Sequence, residues 1–455
     1  MRDGISRRPG TNPTPFALAI PAKLPEPSAI AGRSAAEPTV PLFADDRFTS
    51  YLKLGAVLMA TGLNQSGGGF PALTSIRFIA AFAVVISHYS ENGLLRLPSS
   101  IFNFIDGGRT AVSLFFVLSG FILTFTYRDK IARDGARPFY EARIARIYPM
   151  ILLGLLLCVP VVVYLLYTGN AALMLKWFAL KSSVYLSLVA SLICQLLLIN
   201  GWFPFSAINQ PWNGPSDSIS CEIFFYLLFP FLLRRMMRMK ATRLVLVCAT
   251  LWIATGIWIV FLNTYLPISR SGSMIYSLPI TRLSEFMMGI ASAITFLRLS
   301  ATGVSYHTRG KWLVGVALVG VVILSLWRPV SPDFYLQGPF FAVLILGLSL
   351  LERPVIFGFL SSRPMVRLGE ASYSLYLTHL PIALIALMLG FGESTGWIVI
   401  IFSVLASLVF FKFYEEPMRR HIKARFAEMD KRKARGESGQ PAVSLPNQGA
   451  SITPN

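Results

Sequence analysis

Ten stretches of this sequence are long and apolar enough to cross a lipid bilayer, which removes most of the folds open to a chain of 455 residues. A membrane-crossing helix needs about 20 mostly apolar residues. Such runs fall at 75–93, 110–127, 147–167, 218–233, 243–263, 276–297, 312–328, 335–351, 371–390 and 396–414. With 54% of residues hydrophobic and only 14% charged, a soluble chain of this length could not cover its apolar surface. In hydrocarbon every backbone polar group must be satisfied internally, so the expected fold is all-α: a polytopic membrane bundle of about ten helices.

The net charge is +19. Spread evenly, it would suggest a nucleic-acid partner. Here the basic residues cluster between the apolar runs, a pattern that membrane topology explains and nucleic-acid binding does not. Arg128, Lys130, Arg133, Arg137, Arg143 and Arg146 fill 128–146, and Arg234, Arg235, Arg238, Lys240 and Arg243 fill 234–243. Arg298, Arg309 and Lys311 occupy 298–311, Arg353, Arg363 and Arg367 occupy 352–367, and the tail after 415 is more basic still. The positive-inside rule puts these segments and both termini in the cytoplasm. Parity then excludes a full crossing by the apolar stretch 184–203, which is expected to be re-entrant, interfacial or a partial span.

Residues 1–70 carry eight scattered prolines and no sustained apolar period, so a disordered N-terminal extension is expected. "FALAIPAKLP" is too short and too broken to be a signal-peptide core. Met59 offers an alternative start just before the first span. The membrane domain is expected over 71–418, followed by a tail at 419–455 that is basic and then disordered. Cys158, Cys194, Cys221 and Cys248 have neither metal-ligand nor CxxC spacing. They read as small core residues, with no metal site.

Ionisable groups inside apolar spans are costly and mark function by default. In "TSIRFIAAFAVVISHYSENG" Arg77 lies near the cytoplasmic end and His88 eleven residues on. Eleven helical steps end about 20° beyond three full turns, so the two share one face, about 16 Å apart along the axis. Arg77 also fits a plain topology anchor, and His88 a structural histidine bonded to another helix. His379 sits near the middle of 371–390, where functional and structural readings are even. Glu222 opens its span on the outer side, and Glu285 lies mid-span in "TRLSEFMMGIAS". A buried carboxylate can orient an imidazole or bind a sugar hydroxyl, or join two helices by a hydrogen bond. Glu91, one turn past His88, is placed either to orient that ring or to be an ordinary loop residue. His307 and His421 fall in basic segments and read as surface residues. Ser113 and Gly120 would let helices approach closely.

Taken together, the blocks of this sequence resemble the membrane-bound acyltransferase 3 family, the group containing bacterial O-antigen and exopolysaccharide acetylases. The resemblance covers about residues 73–418. It rests on the Arg-x10-His spacing of Arg77 and His88, "GRTAVSLFFVLSGFIL", "FYEARIARIYPM", "SISCEIFFYLLFPFLL", "RLSEFMMGI", "LGEASYSLYLTHLPI" and "YEEPMRR", in that order. It implies transfer of an acyl group, usually acetyl, from cytoplasmic acyl-coenzyme A to a carbohydrate hydroxyl, with no bound cofactor. His88 would be catalytic with Arg77 its partner, and Arg143 and Arg146 would belong to the donor site. Glu222, Arg282, Glu285, Tyr373 and His379 match motif positions as further catalytic, acceptor or supporting residues. The implied setting is a bacterial inner membrane, beside polysaccharide-synthesis partners. Two departures stand out: the usual "W-S-L-S-V-E" reads "PSDSISCE" here, with Trp212 displaced, and no hydrolase-like domain of the kind some members carry is expected after the membrane domain.

A neutral imidazole suits general-base work on a hydroxyl; equally, it could take the acyl group itself and pass it on. Arg143 and Arg146, three apart, fall on nearly one helix face, and guanidinium groups suit coenzyme A phosphates. The competing reading is a transporter or flippase of a glycan or lipid-linked sugar, for which ten spans with a few buried ionisable groups would serve. A weaker third is an assembly subunit of a polysaccharide export complex.

Overall fold

The computed structural model describes residues 70–98, 101, 108–327, 334–351 and 358–434. The expectations for the N-terminal extension up to residue 69 and for the tail beyond 434 lie outside these residues. The described elements are all helical. The α-helices of eight residues or more are, in chain order, α1 (Pro71–Asn92), α2 (Arg109–Asp134), α3 (Arg137–Thr168), α4 (Ala171–Phe178), α5 (Val184–Leu196), α6 (Ser216–Met237), α7 (Ala241–Tyr265), α8 (Ile268–Tyr276), α9 (Pro279–Ser300), α10 (His307–Trp327), α11 (Gly338–Leu350), α12 (Arg363–Glu370), α13 (Ser372–Met388), α14 (Gly396–Phe410) and α15 (Glu416–Ala434).

Eight helical stretches among the described residues are long and apolar enough to cross a bilayer: α1, α2, α3, α6, α7, α9, α10 and the run from Gly396 through α15. The ninth expected span, 371–390, is a pair: α12 and α13 meet at a 61° bend. The tenth, 335–351, is an apolar helix shorter than the others. Its α-helix is only Gly338–Leu350, entered through a 3-10 turn at Phe334–Gln337 with proline in its first turn, and at 1.5 Å per residue it extends about 20 Å. The basic segment 128–146, expected as a loop, is mostly helix. α2 continues to Asp134 and α3 begins at Arg137, parted only by Gly135, whose φ of 78° is left-handed, and Ala136.

The stretch 184–203 does not cross. α5 has 13 residues, and the chain then folds back through short turns to the start of α6. Polar side chains fasten this fold. Ser191 donates to the Ile208 carbonyl at 2.7 Å, Gln195 to that of Pro211 at 2.5 Å, Trp212 to that of Leu188 at 2.9 Å and Asn213 to that of Leu377 at 2.9 Å. Non-helical backbone at membrane depth is tolerated only where protein covers it or a cavity borders it, and both hold here.

α2 is the axis of the bundle, packed by α1, α6, α9 and α11. Its tightest contact is with α9. A β-carbon at Gly120 would fall on the Phe286 carbonyl, and one at Gly289 on that of Val117. Gly120 thus does allow close helix approach. Ser113 instead anchors a charge, accepting a hydrogen bond from Arg282 at 3.0 Å. Cys158, Cys221 and Cys248 are buried and Cys194 is half-buried.

Candidate functional site

α1 carries both Arg77 and His88 and packs against α13. That contact brings Nδ1 of His88 to 2.8 Å from Nε2 of His379, with the rings parallel within 4°. Nδ1 of His379 lies 3.2 Å from the Leu375 carbonyl oxygen. A carbonyl can only accept, so with both rings neutral Nδ1 of His379 holds the proton and Nε2 a lone pair. His88 must then donate from Nδ1, which leaves its Nε2 bare and able to accept a proton. His379 is fully buried, whereas His88 borders a cavity. The Tyr89 hydroxyl, which donates to the His379 carbonyl at 3.2 Å and pairs with Ser403, braces the same junction.

Arg77 and His88 border different cavities. The first, about 240 Å³, runs along α2 from Tyr127 to Val112 and takes Arg77, Arg143, Arg146, Glu222 and Tyr373 into its wall. It is basic and aromatic. Arg143 donates to the Tyr127 hydroxyl at 2.7 Å and lies within 6 Å of the Tyr127 and Tyr226 rings; Arg146 lies over Tyr373 at 5.8 Å. The Arg143 Nε is buried with no hydrogen-bond partner among the described residues. Tyr226 donates to Glu222 at 2.6 Å. Glu222, expected at the outer edge of its span, thus shares a wall with the three arginines, because α6 turns that face onto the cavity. The Tyr373 hydroxyl donates to the Ile147 carbonyl at 3.3 Å.

The second cavity, about 450 Å³, takes His88, Glu91, Asp217, Arg109, Trp177 and Tyr276 into its wall. The folded-back segment supplies Ser206, Gln210 and Gly214, so the stretch that does not cross builds this chamber. Arg109 sits over the Tyr276 ring at 4.3 Å, and Asp217 accepts from Ser277 at 2.7 Å. Glu91 accepts from Ser87 at 3.5 Å. The partner found at the His88 Nδ1 is His379, where the sequence offered Glu91. Arg282 and Glu285 form a buried ion pair at 3.1 Å, one turn apart on α9, and Arg282 reaches the chamber wall.

Three residues border both cavities: Val112, Ser218 and Tyr376. Ser218 and Tyr376 are hydrogen-bonded at 2.8 Å. None stands out in the sequence, nor does Asp217, although a charge opening an apolar span is a signal for it. Ser374 donates to the buried Glu415 at 2.6 Å, where the helix after α14 runs through a π-helical segment, Phe411–Glu415; "YEEP" holds that residue in view without its partner.

The sequence profile described as an acyltransferase domain matches residues 70–412. The acyltransferase MdmB of Streptomyces mycarofaciens is 31% identical over 324 residues, spanning 68% of this chain and 78% of its own. The O-acetyltransferase OatA of Staphylococcus aureus is 24% identical, across 80% of this chain and 59% of its own. The peptidoglycan O-acetyltransferase OatA of Listeria monocytogenes is 26% identical, across 77% of this chain and 56% of its own. This chain therefore spans under two thirds of the two OatA proteins. No solved structure matches.

Proposed function

The chain belongs to the acyltransferase family whose domain its residues 70–412 match, and we propose that it moves an acyl group, acetyl foremost, from cytoplasmic acyl-coenzyme A to a hydroxyl of a cell-surface or secreted polysaccharide or its lipid-linked precursor. The observation that carries this reading is the pair of chambers meeting at Val112, Ser218 and Tyr376, arginines on one side and His88 on the other.

In this reading the basic chamber faces the cytoplasm, in keeping with Arg143 and Arg146 in a basic segment. Their guanidiniums suit coenzyme A phosphates, and the aromatic wall suits the pantetheine arm. The second chamber takes the acceptor: Trp177 and Tyr276 supply an aromatic part of its wall, and Asp217 an acceptor for sugar hydroxyls. The bare Nε2 of His88 removes the proton from the attacking hydroxyl. The hydroxyl oxygen bonds to the thioester carbonyl carbon and the carbon–sulfur bond breaks. Coenzyme A leaves as thiolate and takes up the proton that His88 holds, so the imidazole returns to its starting state. The same Nε2 lone pair would serve an acyl-histidine intermediate equally well, since both routes need Nδ1 protonated and Nε2 bare. Both termini then lie in the cytoplasm, and the protein resides in a bacterial inner membrane. Mass spectrometry of surface glycans from cells with and without the protein tests this: an ester present only with it supports the reading, and identical glycans defeat it. If His88→Ala blocks glycan export itself, the transporter reading replaces it.

A further inference from the structure

The two chambers are separate cavities, yet they share three wall residues, each from a different helix: Val112 of α2, Ser218 of α6 and Tyr376 of α13. Ser218 and Tyr376 are each 7% exposed, and the hydrogen bond between their hydroxyls ties α6 to α13. The Tyr376 ring is held edge-on by Phe115 at 5.8 Å and lies 6.1 Å from the His379 ring. Val112 faces this pair from α2 with the only purely aliphatic side chain of the three. Arg143 and Arg146 lie on one side of the boundary and His88 on the other. A thioester held by the arginines must therefore bring its acyl end to this boundary before a hydroxyl in the His88 chamber can reach it.

Resting on the acyltransferase reading, we propose that Val112, Ser218 and Tyr376 form a septum that measures the acyl group. The acyl carbons, and nothing else of the donor, project past it. The carbonyl carbon is attacked at the boundary, with bonds and protons moving as described above. The coenzyme A portion stays in the basic chamber, so the septum governs which acyl group is transferred and not how tightly the carrier binds. Ser218 and Tyr376, joined to each other, leave Val112 as the wall whose size sets the clearance. A gap set by these side chains admits a slim linear chain and excludes branched ones, and the acceptor seated in the chamber beyond leaves room for a short chain only. One methylene at a close-fitting apolar wall typically changes selection about tenfold or more.

The test uses the full-length protein in lipid nanodiscs with a series of acyl-coenzyme A donors from acetyl to octanoyl, each measured for transfer to extracted glycan, with coenzyme A binding measured in parallel. The wild type is expected to lose transfer steeply along the series. Val112→Ala should raise the butyryl-to-acetyl ratio about tenfold and Val112→Leu should lower it, both with unchanged coenzyme A affinity. Tyr376→Phe, which keeps the ring and loses the hydroxyl bond, should broaden the range. A wild type that transfers octanoyl as fast as acetyl overturns the septum, even if no variant can be purified. So does a ratio that Val112→Ala and Val112→Leu leave alone or move in the same direction. A wild type that transfers no acyl group from any donor overturns the acyltransferase reading itself.

Discussion

Replacing His379 by glutamine and by leucine separates a residue that fixes the His88 tautomer from one that merely fills space. His379 is fully buried and lines neither of the two chambers, so it reaches the chemistry through His88. Its Nε2 accepts from His88, and a glutamine amide oxygen can reach about the same position. Leucine fills the volume but leaves the His88 Nδ1–H without an acceptor. An unsatisfied buried donor costs about 1–3 kcal/mol, and about 1.36 kcal/mol is a factor of ten in rate. His379→Leu should therefore slow acyl transfer by about 5- to 150-fold, chiefly in kcat, while His379→Gln stays within a few-fold of wild type. The assay is initial-rate transfer of radiolabelled acetyl from acetyl-coenzyme A in nanodiscs, at matched protein recovered by size exclusion. Equal rates for leucine and wild type would refute the tautomer relay. So would equally inactive glutamine and leucine variants that remain folded.

Other outcomes follow from particular contacts. Gly120→Val drives side-chain carbons into the Phe286 carbonyl on α9; overpacking costs about 1–3 kcal/mol, so the detergent-solubilised protein should show a clearly lower Tm and transfer should fall with it. Glu285→Gln leaves the buried Arg282 guanidinium without its carboxylate partner, which costs about 3–5 kcal/mol; thermal-shift fluorescence should show a large loss, smaller in the Arg282→Met/Glu285→Leu double variant. Arg143→Lys keeps the topological charge but loses the guanidinium that meets Tyr127; insertion should be normal and acyl-coenzyme A affinity weaker, and normal affinity would remove Arg143 from the donor site.

Much of this architecture is legible in the sequence, because crossing a bilayer forces long apolar runs and basic segments that set sidedness. Parity alone singles out 184–203 as a stretch that does not cross, and α5 is indeed too short. Local geometry also puts Arg77 and His88 on one face. The His88–His379 bond is not legible: its partners are 291 residues apart, and only the packing of α1 on α13 selects His379 over Glu91. Hydrophobic periodicity fades when a helix is apolar on both its lipid and its bundle face, so Val112, Ser218 and Tyr376 look like any wall residues. Glu222 is misplaced when its depth is counted from the start of α6, because its face is set by the tertiary packing that turns it onto the basic chamber. The α-helix within 335–351 is shorter than the apolar run suggests, because that composition continues through the 3-10 turn at Phe334–Gln337, where the α-helix does not.

The most direct test of the account is acetyl transfer by His88→Ala in sealed inverted membrane vesicles supplied with labelled acetyl-coenzyme A on the cytoplasmic face. The account predicts alkali-labile label in glycan with the wild type and a loss of at least about a hundredfold with His88→Ala, donor binding unchanged. Transfer at the wild-type rate without the His88 imidazole would contradict it.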